Sequence, residues 1–215
     1  MKHLLSIERL SSEAIDAILF ESAGFKQQRG RDPRRPLAGQ QWALMFSKSS
    51  TRTRVSFEVG IRELGGSVMF LSASDIQLGR GEPIRDTARV LGRMVHGTVI
   101  RTFAQRDVEE FAEYSGIPTV NSLTDDEHPC QILADLFTIP ERAGGIAGKV
   151  VPLLGDGGCN VARSWIFAAA RLGNRDRRQH RLRPPAHSAL CRPDQARHRR
   201  RRGAAHRGRC HRDGL

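Results

Sequence analysis

The sequence predicts an α/β fold: a parallel sheet with helices on both faces. Two observations carry this expectation. Short apolar segments rich in β-branched residues alternate with stretches of helical period, and Gly, Pro, Ser or Asp marks each change. Helical segments lying between short strands also imply right-handed crossovers, which set neighbouring strands parallel and cover both faces of the sheet.

The elements follow in order. An opening helix is expected near residues 11–27. Strands are expected at 42–46, 67–71, 98–102, 119–121 and 149–154, with helices between them. The helix after Thr53 shows Phe57, Ile61 and Leu64 on one face. The next shows Ile84, Ala88, Leu91 and Val95, and the last shows Val161, Trp165, Ala169 and Leu172. Pro152 sits awkwardly in the fifth strand, because it lacks the N–H that a central strand uses. Ligands of parallel sheets gather at the carboxyl ends of the strands. Chemistry is therefore to be sought in the loops after Phe46, Leu71, Thr102 and Asn121.

Composition narrows the class. The chain has 215 residues, 39% hydrophobic and 27% charged, which is enough for one large or two small domains. No apolar run reaches the roughly 18 residues of a membrane span. Acidic residues interrupt the first apolar stretch, so a cytoplasmic protein without a secretory signal is expected. Cysteines 130, 159, 191 and 210 lack the paired spacing of a zinc site and read as free thiols. Histidines 3, 96 and 128 form no ligand spacing, so neither a metal nor a cofactor is expected. The net charge of +12 is unevenly placed: residues 174–215 hold 14 Arg, no Lys and 3 Asp, leaving residues 1–173 close to neutral. Only Leu182, Leu190 and Leu215 are large and apolar in that tail, too few for a core.

The most informative segment is FSKSSTRTRVSFE, residues 46–58, which leaves a strand and enters a helix. Ser50, Thr51, Arg52 and Thr53 place hydroxyls, a guanidinium and unpaired backbone N–H groups at a helix start, where the helix dipole also favours an anion. A phosphate suits such a place; so does a plain N-cap with solvated arginines. The longer context, STRTRxSFE after an apolar strand, resembles the carbamoyl-phosphate motif of the aspartate/ornithine carbamoyltransferase family.

Three further segments occur in that family's order: QLGRGEPIRDTARVL at 77–91, VIRT at 99–102, and HPCQ at 128–131 followed by Ala134 and Asp135. HPCQ and the 77–91 loop look like the ornithine branch, since the aspartate enzyme typically has Thr where Cys130 stands. The resemblance runs to about Gly173. It implies that Ser50, Thr51, Arg52 and Thr53 hold the phosphate. Arg101, His128 and Thr53 would face the carbonyl oxygen as the catalytic group, and Gln131 would hold the carbamoyl amide. Gln77, Pro129 and Cys130 complete the implied carbamoyl-phosphate site. The Gln77 loop would serve a neighbouring subunit, which implies a homotrimer or a multiple of one. Taken singly, each residue has a plainer reading. His128 with Pro129 could simply start a helix, Arg101 could be a surface ion pair, Gln77 a polar loop residue, and Cys130 a packed thiol. The joint order of four motifs favours the site.

By the same resemblance, the expected reaction moves the carbamoyl group of carbamoyl phosphate to the side-chain amine of L-ornithine. Direct attack through a tetrahedral intermediate gives L-citrulline and phosphate, in arginine metabolism. Aspartate, or another amine such as putrescine or acetylornithine, is the alternative acceptor. LGDGGCNVARSW at 154–165 looks like the start of the acceptor half, with Asn160 matching an ornithine-binding Asn and Cys159 standing where another Asn is common.

The expected organisation is a carbamoyl-phosphate domain over 1–145, a first strand–helix unit of an ornithine-binding domain over 146–173, and a basic tail over 174–215. That second α/β domain is thus expected to be truncated. The tail's Arg, Pro, Ala, Gly and His resemble a shifted reading frame of a GC-rich gene. The competing reading is an arginine-rich arm that binds nucleic acid. This chain by itself is expected to be an incompetent transferase, with the inner face of its last helix left wet.

Overall fold

A computed structural model describes residues 2–31, 34–72, 82–146 and 148–173. The position of Gln77 and the whole 174–215 tail therefore lie outside the described residues. All described residues fall within one compact unit.

The order is α1 (Ser12–Gln27), β1 (Gln41–Phe46), α2 (Thr51–Glu63), β2 (Ser67–Ser72), α3 (Ile84–Leu91), β3 (Gly97–Arg101), α4 (Gln105–Ser115), β4 (Thr119–Leu123), α5 (Pro129–Ala143) and α6 (Asn160–Gly173). The four strands form one sheet in the order β2-β1-β3-β4, and every pairing is parallel. Leu4 extends it by a parallel bridge to Val120: Leu4 N–H donates to Thr119 O and Asn121 N–H to Leu4 O. This covers the outer edge of β4, which would otherwise present unpaired backbone groups.

Alternation along the strands divides the core. Ala43 and Met45 of β1 and Ile100 of β3 face Ala88, Val95, Val108 and Phe111 beneath α3 and α4. Their neighbours Leu44, Phe46 and Val99 face the other way, toward Ile61 and Phe57 of α2. A third cluster joins Ile7, Leu10 and Ile15 to Ile132, Leu133 and Leu136 of α5 and Ala168 of α6. Two glycines permit close approaches. A Cβ on Gly97 would lie 2.6 Å from the Trp42 ring, and one on Gly92, at the end of α3, would lie 2.1 Å from the carbonyl oxygen of Ser115.

Four of the five expected strands are present, and the fold class is as expected. The stretch 149–154 is not a strand. Pro152 removes a ladder donor, the stretch pairs with none of the described strands, and Leu154 is 95% exposed. Helix α3 stops at Leu91, so Val95 lies beyond it yet stays in the same cluster. The wet face expected for α6 is also not found. Val161, Trp165, Phe167 and Leu172 pack against the α1–α5 cluster, and the most buried positions are Ala162, Ser164 and Ala168.

Candidate functional site

Three loops at the carboxyl edge of the sheet are tied to one another. Ser47 N–H, just past β1, donates to Arg101 O at 2.8 Å, and Asp125 N–H, past β4, donates to Phe103 O at 2.7 Å. Lys48 pairs with Asp125 and lies 4.4 Å above the Phe103 ring, linking the loop after β1 to the loop after β4. Around this junction stand the start of α2, the end of β3 and the start of α5.

At the start of α2, Ser50 is the N-cap, and its hydroxyl accepts from Thr53 N–H at 3.4 Å. It donates in turn to Thr53 Oγ1 at 2.9 Å, which leaves the Thr53 hydroxyl proton free for a ligand. Thr51 and Arg52 are exposed on the first turn, whose leading N–H groups have no acceptor inside the helix. The turn holds no acidic residue, so nothing on it opposes an anion.

Arg101 closes β3 with its guanidinium half-buried. Burial lowers its pKa, and its Nε–H is buried without a hydrogen-bond partner among the described residues. His128 is the residue before Pro129, the first residue of α5, and caps it without a side-chain hydrogen bond. Burial, and secondarily the Arg101 charge, depress its imidazole to about 4, so it is neutral at pH 7. Its Nδ1 is buried and likewise lacks a partner among the described residues. The two side chains are close enough for the Arg101 charge to act on the His128 imidazole, and each keeps a buried polar atom with hydrogen-bonding capacity still to be used.

The remaining expected residues behave differently. Pro129 is buried in the first turn of α5. Cys130 donates its thiol to Asn121 O at 3.3 Å, and burial pushes its pKa up to about 12, which describes a packed thiol rather than a nucleophile. Gln131 is exposed, with its amide donating to Asp135 at 2.8 Å one turn on. Asn160, opening α6, donates to Thr124 O at 2.7 Å and accepts from Val161 N–H at 2.8 Å, so both amide ends are already engaged within the chain. A separate cleft of about 630 Å³ opens between α3 and α4, lined by Met45, Ser47, Ile100, Thr102 and Asp107 among others; it does not include Arg101 or His128.

One residue beside the site escaped the sequence reading. Glu127, immediately before His128, is only 4% exposed and accepts from the Ser6 hydroxyl, from Ile7 N–H at 3.0 Å and from the Ser164 hydroxyl at 3.2 Å. Its position in an Asp-Asp-Glu run reads as a solvated loop, and its three donors come from distant parts of the chain. The only signal available was an acidic residue directly preceding the HPCQ motif.

Comparison with known proteins gives the family of this fold. Residues 2–141 match the family described as aspartate/ornithine carbamoyltransferase, carbamoyl-P binding domain. The ornithine carbamoyltransferase of Akkermansia muciniphila is 63% identical over 175 residues, covering 80% of this chain and 57% of that protein. The Geobacter metallireducens enzyme of the same name is 49% identical over 173 residues, with the same shares covered. Among solved structures, ornithine carbamoyltransferase from Burkholderia thailandensis superposes with a TM-score of 0.75 at 44% identity, covering 80% of this chain and 59% of that one. The Pyrococcus furiosus enzyme gives 0.74 at 46% identity, covering 78% and 53%. The chain thus spans somewhat more than half the length of the relatives it matches. With the motifs in order, the parallel sheet carrying them and these likenesses in agreement, the chain belongs to the aspartate/ornithine carbamoyltransferase family.

Proposed function

We propose that this chain carries the carbamoyl-phosphate site of an ornithine carbamoyltransferase. The observation that carries the reading is the pair of buried atoms Arg101 Nε and His128 Nδ1, without hydrogen-bond partners among the described residues, on loops tied to the one that leads into the hydroxyl-lined start of α2. Carbamoyl phosphate needs a place for an anion next to donors for a carbonyl oxygen, and this edge supplies both kinds of group.

In this reading Ser50, Thr51, Arg52 and Thr53 grip the phosphate, with the Arg52 fork matched to two oxygens at once. Arg101, neutral His128 and the Thr53 hydroxyl donate toward the carbonyl oxygen. When the ornithine amine attacks the carbonyl carbon, that oxygen gains negative charge, and the same donors strengthen their hold. The intermediate then collapses: the carbonyl re-forms, the C–O bond to phosphate breaks, phosphate leaves with that electron pair, and the attacking nitrogen passes its extra proton to the departing phosphate. Pro129 fixes the start of α5, Cys130 packs beneath it, Gln131 addresses the carbamoyl amide, and Gln77 completes the site from a neighbouring copy in a homotrimer. Asn160 contacts ornithine, with the second hydrogen of its amide available for this. The division into 1–145, 146–173 and 174–215, the cytoplasmic setting and the place in arginine synthesis belong to the same reading. The names of the relatives and the HPCQ form support ornithine over aspartate.

Calorimetry tests the donor site. Arg52→Ala should weaken carbamoyl-phosphate binding by about 2–3 kcal/mol, the loss of charge-assisted hydrogen bonds. Unchanged affinity would reduce the segment to a helix cap. A titration in which the unaltered chain binds no carbamoyl phosphate would refute the function.

A further inference from the structure

Helix α6 grips the loop that carries His128 along one face. Asn160 donates to Thr124 O, Arg163 pairs with Asp126, and Ser164, fully buried, meets both Glu127 and His128. Residues 160, 163 and 164 share a helix face, so the grip is a property of the helical repeat. Asp125 on the same loop pairs with Lys48. The acidic run 125–127 is thereby shared among three places: the loop after β1, helix α6 and the N-terminal segment.

The contact at Ser164 is directional. A hydroxyl has one proton to give, and here it goes to the Glu127 carboxylate, which can only accept. The oxygen is left to accept the main-chain N–H of His128, at 3.0 Å. Glu127 is itself held by Ser6 and by Ile7 N–H, so the relay is anchored in the segment that pairs with β4. Losing the carboxylate would free the hydroxyl to turn. Losing the hydroxyl would leave the half-buried His128 N–H without its acceptor.

We propose that Glu127, acting through Ser164, is a positioning residue that sets the His128 imidazole against the carbonyl end of the ligand. Neither side chain touches the ligand; both act on where His128 stands. The inference rests on the proposed carbamoyl-phosphate site. It predicts a loss confined to one end of the ligand, because the α2 start that grips the phosphate makes none of these contacts.

The test uses the full chain with Glu127→Gln and Ser164→Ala, titrated with carbamoyl phosphate and separately with inorganic phosphate. Both variants should lose about tenfold in affinity for carbamoyl phosphate while affinity for phosphate changes less than about twofold, the loss of about one hydrogen bond at the carbonyl end. The His128 imidazole, followed by NMR, should also titrate nearer its ordinary value as the ring leaves its buried place. A merely structural role would lower affinity for both ligands together, or for neither, and either result overturns the proposal. If Glu127→Gln does not fold, Ser164→Ala, which removes one oxygen, decides alone. The unaltered chain and Arg101→Ala separate the two levels. If the unaltered chain does not prefer carbamoyl phosphate to phosphate, the proposed function fails and the positioning role falls with it. If Arg101→Ala loses that preference while Ser164→Ala keeps it, only the positioning role fails.

Discussion

The depressed imidazole of His128 makes the stability of the protein depend on pH in a calculable way. In the unfolded chain this histidine titrates near its ordinary 6.5; in the folded chain burial and Arg101 hold it at about 4. Between those values the unfolded state takes up a proton that the folded state refuses. Stability associated with His128 is therefore fully present above about pH 6.5, declines as pH falls through the window, and levels off below about 4. A shift of this size corresponds to at most about 3 kcal/mol, and the partial exposure of the ring brings the expected figure to about 2 kcal/mol. His128→Asn removes the titration while keeping a residue suited to the N-cap of α5. Urea unfolding of both proteins at pH 7.5, 6, 5 and 4 measures the effect. The stability difference between wild type and variant should move by about 2 kcal/mol toward the variant on acidification. His3, also depressed chiefly by burial, is present in both proteins and cancels. A difference that stays constant with pH would mean that His128 titrates normally when folded. A movement toward the wild type would mean that an anionic partner raises its pKa. Either would refute the buried placement beside Arg101.

Other consequences can be checked directly. Gly92→Ala has an ordinary backbone conformation to occupy, so the 2.1 Å approach to Ser115 O alone decides its effect; overpacking against a carbonyl that cannot turn aside should cost about 2 kcal/mol or more and lower the melting temperature by several degrees. A melting temperature that does not fall would show that α3 and α4 are farther apart. Cys130, with its thiol pushed up to about 12, should resist iodoacetamide at pH 8 in the folded protein and react once unfolded, as mass spectrometry of the labelled peptide would report. Arg101→Ala should weaken carbamoyl phosphate more than inorganic phosphate, since its Nε–H is assigned to the carbonyl end; equal losses would remove that assignment.

The strands were legible where both faces are covered. Residues 42–46 of β1 read as an unbroken apolar run, and β3 carries the adjacent pair Val99 and Ile100, because alternate residues enter two different cores. The stretch 149–154 is also largely apolar, but Pro152 takes a donor from its ladder and it pairs with none of the described strands, and a strand exists only through its pairing. The element ends that carry the proposed donor site were legible because helix starts announce themselves through Ser, Thr and Pro. Glu127 and Ser164 were not. One looked like a surface acid and the other like a spacer between Val161 and Trp165, and their shared proton joins positions 37 residues apart. Periodicity shows which face of a helix is apolar, but it does not reveal a polar residue buried for the sake of a distant carboxylate.

The bridge from Leu4 to β4 has a consequence for the order of assembly. Ser6 and Glu127 are 121 positions apart, and the backbone partners of Leu4 lie at Thr119 and Asn121. During synthesis the segment around Leu4 emerges long before its strand partner β4 and its carboxylate partner Glu127, while β1, α2 and β2 can already associate. The earliest residues are thus among the last to be seated, and the His128 loop does not acquire its carboxylate anchor until they arrive. Closing so long a loop is slow relative to local helix formation, so donor-site geometry should mature late, after most of the secondary structure is in place.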